Sequence, residues 1–290
     1  MTAVEEVLHA RRKSIGPGLV DRVLPALGRR HVGPYILLDD SGPHTQLPGN
    51  ALAIPPHPHI GLSTLTWLLQ GEAVHRDSLG NTQRIRPGEV NWMTAGRGIV
   101  HSERAPQDMI DARLVLHALQ LWVGLTAEHE DVEPHFQHLE GCALPRMLDA
   151  GAQAILIAGA AYGQASPLRT FTPQFFVELR MQPGARFPLP SEHEERAVYV
   201  VRGLVMVEER ACHPQQLAVL RPGGMPVVRA ETDAVVMLLG GAPIATPHMW
   251  WNFVSSKPEK IDQAKADWAA NRFVLPPDDH AERVPLPASG

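Results

Sequence analysis

Pro56-His57-Pro58-His59-Ile60-Gly61-Leu62-Ser63-Thr64-Leu65-Thr66-Trp67-Leu68-Leu69-Gln70-Gly71 is the stretch on which the fold of this chain turns. His57 and His59 stand two residues apart, and in an extended strand that spacing sends both imidazoles to one face. Leu62 to Leu69, rich in Leu, Thr and Trp and closed by Gln70-Gly71, reads as a strand followed by a turn. A second i, i+2 pair, His101 and Glu103, stands in Gly98-Ile99-Val100-His101-Ser102-Glu103-Arg104. Between the pairs, Ser78-Leu79-Gly80-Asn81 and Arg86-Pro87-Gly88-Glu89 read as turns, and Val90 to Met93 as a short apolar run before Thr94-Ala95-Gly96-Arg97-Gly98. An isolated His-x-His is usually an exposed strand pair. Here a meander of short antiparallel strands brings the second pair back beside the first, so three imidazoles and one carboxylate converge as an open mononuclear metal site.

His-x-His, a Gly about a dozen residues on, then Pro-Gly and a later His resembles the cupin pattern, whose four ligands sit inside a small β-barrel. The finer resemblance is to the pirin family. It is carried by His57-Pro58-His59, Gly71-Glu72, His75-Arg76-Asp77-Ser78-Leu79-Gly80, Arg86-Pro87-Gly88, Trp92-Met93-Thr94-Ala95-Gly96-Arg97-Gly98-Ile99-Val100-His101-Ser102-Glu103 and Leu119-Gln120-Leu121-Trp122-Val123. It is dense from Gly33 to Leu125 and thinner but continuous beyond. The fold it implies is all-β: a bicupin of two tandem antiparallel, jelly-roll-like barrels with a C-terminal helix. Carried over position by position, the family's metal ligands fall on His57, His59, His101 and Glu103, the set that the strand argument selects. Two positions depart from the common Arg-Gly-Phe-Glu after the second His. Ile60 replaces the Arg, which is expected to alter a pocket wall or a partner surface. Ser63 replaces a carboxylate that is a ligand in other cupins but not in pirins.

Imidazoles with one carboxylate suit a single divalent transition metal, and affinity order does not choose among the candidates. Fe(II) is the expected ion, with Mn, Co, Ni, Cu and Zn as alternatives. In a six-coordinate site four protein donors leave two positions for a substrate and O2, whereas a tetrahedral zinc would be closed and structural. The resemblance implies a dioxygenase like quercetin 2,3-dioxygenase, cleaving a flavonol ring with release of carbon monoxide and with Glu103 as general base. The alternative is an iron-dependent redox sensor that binds a regulatory protein without turnover, as eukaryotic pirins are thought to do. A cupin isomerase or epimerase is a third reading. Oxygen discriminates them, because only the dioxygenase consumes it.

The 290 residues suffice for two domains. Residues 1–140 are expected to form the metal-binding barrel and 141–149 a connector. Residues 150–290 then form a second barrel plus the helix. In the second half, Ala197-Val198-Tyr199-Val200-Val201-Arg202-Gly203 and Leu220-Arg221-Pro222-Gly223-Gly224 repeat the strand-to-Gly stretch and the Arg-Pro-Gly turn. The following Met225 to Ala230 holds no His, and His193 with Glu195 reads as surface or pocket-edge rather than ligating, so no second metal is expected. Ser256-Lys257-Pro258-Glu259 matches a capping box, and Ile261, Ala264 and Trp268 follow at helical spacing. The family resemblance places this helix across the partner domain, with Trp250 to Phe253 as the strand feeding it.

A net charge of −5 leaves no basic footprint for nucleic acid. The two cysteines, Cys142 and Cys212, give no disulfide framework and suit a reducing compartment. Met1 to Lys13 has no apolar core of a signal peptide, and no apolar run approaches the ~20 residues of a membrane span, so the cytoplasm is expected. His117, His129, His135, His138, His213 and His248 lack a second convergent group, and His135-x-x-His138 reads as part of a solvated connector. His75 is placed on a hairpin, with the barrel mouth as the alternative.

Overall fold

The computed structural model describes residues 3–15 and 18–287. The chain folds as two compact units that exchange segments. One is built from Leu19–Asp39 and Glu140–Ile244 with the N-terminal strand, the other from Asp40–Leu139 and the segment from Ala245 onward. This differs from the linear division at 141–149. Strand Val4–His9 hydrogen-bonds to Gln216–Leu220, and the C-terminal segment packs with the unit holding the histidine pairs. The expected connector itself contains a short 3-10 turn, Gly141–Ala143, and a strand, Arg146–Asp149, paired with Ala152–Ala161.

In the histidine-bearing unit, one sheet runs in the order Ala53–His59, Ile99–Arg104, Ala73–Asp77, Thr82–Ile85. A second contains His135–Leu139, Val90–Thr94, Leu62–Gln70 and Leu114–Gly124 as neighbours in that order. All these pairs are antiparallel, and strands distant in sequence interleave. The meander therefore returns Ile99–Arg104 against Ala53–His59. His135 to Leu139 is an edge strand rather than a solvated connector, and His138 Nδ1 lies 2.7 Å from Asn91 Oδ1.

The other unit repeats the plan. One sheet orders Val4–His9, Gln216–Leu220, Glu195–Arg202, Ala234–Gly241, Gln174–Met181, Ala152–Ala161 and Arg146–Asp149; a smaller one orders Arg186–Pro188, Val227–Ala230, Val205–Val207 and Arg210–Cys212. Its interior is apolar, with Phe175, Val177, Leu179, Phe187, Val198 and Val228 among the buried residues. On the smaller sheet Phe187 faces Val228 across the strands, neither with a donor atom.

Helix Pro258–Ala269 starts at Lys257 with Pro258 in its first turn, where a missing N–H costs nothing. The expected capping box does not form. Instead Ser256 donates both its backbone N–H, at 2.7 Å, and its hydroxyl, at 3.0 Å, to the buried Glu130 carboxylate. Lys260 Nζ joins them at 2.8 Å. Burial pushes the Glu130 carboxyl up, but the hydrogen bonds from Lys260 and Ser256 outweigh it and hold the group below its ordinary value. Ile261, Ala264 and Trp268 form the buried stripe and pack on Ile60, Val100 and Phe253. Trp250 to Phe253 is not one strand but the turn of a hairpin between His248–Trp250 and Phe253–Ser255. Among the described residues no helix is long and apolar enough to cross a membrane.

Two glycines fix the ends of the site strands. Gly61 (φ 69°) donates to the Gly96 carbonyl at 2.8 Å, and a Cβ on it would lie 1.9 Å from the Val254 oxygen. Gly96 (φ 50°) is equally enclosed, 1.9 Å from the Val132 oxygen. Gly61→Ala is expected to lower stability by about 3 kcal/mol, from left-handed strain plus backbone collision. A chemical-denaturation midpoint equal to that of the wild type would contradict this account.

Candidate metal centre

His57 and His101 are direct cross-strand partners, so antiparallel register sets their rings side by side on one face, tilted 56° to each other. His59 follows His57 on the same face. The ring centroids of His57 and His101 are 4.3 Å apart, and those of His59 and His101 are 5.0 Å apart. One nitrogen from each ring falls within 4.8 Å of the others, and all three residues are buried. His59 also meets the edge of Trp122, which belongs to the facing sheet. The histidines therefore point between the two sheets.

The ring nitrogens fit a cation. His57 Nδ1 lies 2.9 Å from the Pro55 carbonyl and donates to it, which leaves Nε2 with a lone pair. His59 Nε2 and His101 Nε2 face each other at 3.1 Å, a spacing at which two lone pairs repel unless a proton or a cation lies between them. Desolvation pushes the pKa of His57 down to about 4 and those of His59 and His101 well below the ordinary value, with the neighbouring imidazoles adding to the shift. Neutral rings with free lone pairs are the ligating form. The cluster suggests a single metal ion held by His57, His59 and His101.

Glu103 lies outside the three-histidine group. The register shifts between His101 and Glu103, so that His101 faces His57 while Glu103 faces Ile54. Its carboxylate still points between the sheets, because Oε1 comes within 3.5 Å of Thr66 Oγ1 on the opposite sheet. Burial pushes the Glu103 carboxyl up, opposed by His75 and Thr66.

The sequence reading missed His75 as part of the site. It does lie on a hairpin strand, but it is buried and faces inward. Its Nδ1 is 3.3 Å from His101 Nδ1, its Nε2 is 3.1 Å from Asp77 Oδ2, and its ring stacks on Phe136. Across the strands Glu103 faces His75 and His101 faces Asp77. His75-Arg76-Asp77 is another i, i+2 polar pair, which was the available signal. His117 has a partner too, with Nε2 at 2.8 Å from Asp40 Oδ1.

The two departures from the family pattern serve packing. Ile60 is buried in the apolar cluster beneath the helix and also forms part of a pocket wall, with Gly61, Gly96, Lys260 and Phe273. Ser63 is fully buried, with its hydroxyl 3.0 Å from Thr94 Oγ1.

Two antiparallel β units of one plan, one carrying a histidine cluster, define a bicupin protein. Residues 19–123 match the Pirin family model, and residues 176–274 match that of the Pirin C-terminal cupin domain. The chain belongs to the pirin family. It is 46% identical to a pirin-like protein of Caulobacter vibrioides, with 98% of this chain and 99% of the relative covered. It is 41% identical to a Pseudomonas aeruginosa protein provisionally named a quercetin 2,3-dioxygenase, over 89% of this chain and 82% of that protein. The crystal structure of quercetin 2,3-dioxygenase from Acinetobacter baumannii matches with a TM-score of 0.90 at 34% identity, covering 98% of this chain and 95% of that one.

His101→Ala is expected to abolish stoichiometric metal uptake, read by elemental analysis after loading; full retention would overturn the assignment. Metal-free protein should also report the buried rings. Unfolded histidines take up protons near their ordinary 6.5, whereas folded His57 resists to about 4, so the unfolded chain binds more protons across that window. The stability is complete above pH 6.5 and falls as pH drops towards 4. The urea midpoint should follow this slope in wild type and a shallower one in His57→Gln. Equal slopes would contradict neutral burial.

Proposed function

We propose that this protein is a metal-dependent dioxygenase that cleaves the ring of a flavonol or similar polyphenol, with His57, His59, His101 and Glu103 as metal ligands. The observation that carries the proposal is the convergence of three buried imidazoles within 4.8 Å. Support for the reaction class comes from the A. baumannii quercetin 2,3-dioxygenase, which shares the fold along nearly the whole chain. The bound ion, Fe(II) in this reading, supplies Lewis acidity and the electronic means to bring O2 and an enolate together.

The chain's own residues supply positioning and proton transfer. Glu103 accepts the enol proton of the flavonol. Its buried carboxylate, opposite His75 across the ladder and close to Thr66 on the facing sheet, is placed to receive that proton out of water. Thr66 has one hydroxyl proton, which it can give to Glu103 Oε1 at 3.5 Å while that carboxylate is charged or to Gln120 Oε1 at 2.9 Å once Glu103 has taken up a proton. Trp122 braces His59, and the apolar cluster under the helix packs against the Ile60 side of the strand.

The Fe(II)-loaded protein is expected to consume O2 and flavonol in equimolar amounts and to release carbon monoxide. Glu103→Gln keeps the shape but loses the base and the anionic donor, so turnover should fall by about a hundredfold or more and metal retention should weaken. Full activity with normal metal content in that variant would refute both roles. If no flavonol is oxidised with Fe, Mn, Co, Ni, Cu or Zn, while Fe(II)-to-Fe(III) conversion changes affinity for a protein partner, the redox-sensing reading replaces this one.

A further inference from the structure

We propose that Asp77 and His75 form a hydrogen-bonded relay to His101 that fixes which nitrogen of His101 faces the metal position. His75 is thus a positioning residue rather than a ligand. The inference rests on the metal-centre reading above and deepens it.

The direction of the relay follows from donor inventory. Asp77 Oδ1 accepts from the backbone N–H groups of Leu79, at 2.9 Å, and Asn81, at 3.1 Å, and from Asn81 Nδ2 at 3.1 Å. Asp77 Oδ2 accepts from Asn81 Nδ2 at 2.9 Å. A carboxylate ringed by donors has no proton to give, so the 3.1 Å contact of Oδ2 with His75 Nε2 is an N–H from the imidazole. With its proton on Nε2, His75 presents a lone pair at Nδ1. That atom is 3.3 Å from His101 Nδ1, which must then carry the hydrogen. The remaining nitrogen of His101, Nε2, is left as a lone pair, and it is the one set 3.1 Å from His59 Nε2.

The elements hold this line without freedom to reverse it. Asp77 and His75 are i, i+2 on one strand, and Asp77 sits opposite His101 across the ladder. Asp77 is fully buried and tied into the Ser78–Asn81 turn, while His75 is clamped by stacking on Phe136 at a centroid distance of 4.4 Å and an interplanar angle of 11°. A partner on the non-ligating nitrogen fixes both tautomer and ring orientation of a ligating His. Here that partner is a second imidazole, itself fixed by a carboxylate.

Long-range 1H–15N NMR of metal-free protein labelled at histidine, with His75→Gln and His101→Gln for assignment, reads the tautomers directly. The proton of His101 is expected on Nδ1 and that of His75 on Nε2; a proton on Nε2 of His101 overturns the relay. Zn(II) and Co(II) affinities, measured by chelator competition, should weaken about 10- to 100-fold in His75→Phe. That variant keeps the stack on Phe136 but removes both nitrogens, and the Co(II) visible bands should shift. His75→Gln should recover part of the affinity, because its Oε1 can accept from His101. Wild-type affinity and spectrum in His75→Phe would overturn the proposal. Should His75→Phe fail to fold, His75→Gln is set against Asp77→Asn, whose amide offers an N–H to His75 and reverses the line. Equal Zn(II) affinity in those two variants also overturns it. Wild-type protein that takes up neither ion would instead defeat the metal-centre reading, while the tautomers still decide the hydrogen-bond line.

Discussion

The register of strand Ile99–Arg104 against Ala53–His59 governs the site, because it sets His101 directly opposite His57. A one-residue slip in an antiparallel ladder turns every side chain to the other face, which would send His101 out of the interior and break the cluster. Register is held at the strand ends by backbone bonds that only glycine permits. Gly61 reaches the Gly96 carbonyl, and Gly98 closes back onto Ala95. The glycines of Thr94-Ala95-Gly96-Arg97-Gly98 thus act as a structural clamp, although as sequence they look flexible.

Burial then sets the chemistry. The same desolvation lowers the pKa of the three histidines and raises that of Glu103, so each group is driven towards its neutral form. For an imidazole the neutral form is the ligand, whereas for a carboxyl it is not. The histidines are prepared for a cation by the fold alone. Burial works against the charge of Glu103 while His75 and Thr66 favour it, and a cation in the site would add to the groups that favour it. Asp77 is the exception in this interior: burial pushes it up, but hydrogen bonds from His75 and Asn81 prevail and hold it below the ordinary carboxylate range.

Spacing carried much of this in the sequence. The i, i+2 rule placed His57 with His59, and the turn residues between Gln70 and Gly98 predicted the returning meander. What stayed hidden depended on partners that spacing does not name. His75 faces inward because it stands directly opposite Glu103 across the ladder, and opposed residues share a face, a fact of register. The bulge that offsets Glu103 from the histidines likewise appears only in the register. Ser256 reads locally as a helix cap, yet a buried carboxylate far away in sequence, Glu130, outcompetes the helix N–H groups for its hydroxyl. The exchange of terminal segments between the units is a property of tertiary packing that a linear reading of domains does not contain.

Ile60 links these levels. It follows His59 directly, and its side chain enters the cluster of Phe253, Ile261 and Trp268, while its carbonyl accepts from Val254 at 3.2 Å. An arginine here would set a guanidinium beside those aromatic and aliphatic side chains, or turn it into the adjoining pocket where Glu130, Asp131 and Asp267 stand. With isoleucine, the C-terminal helix seals one side of the metal-bearing strand with apolar contacts. The other unit has the same strand plan but fills its corresponding strands with Phe187 and Val228. One architecture thus supports two interiors, and the difference lies in a few side chains placed at the same pairing of strands. In the histidine-bearing unit those side chains turn a packing core into a donor set, and Ile60 packs that strand onto the apolar cluster beneath the helix.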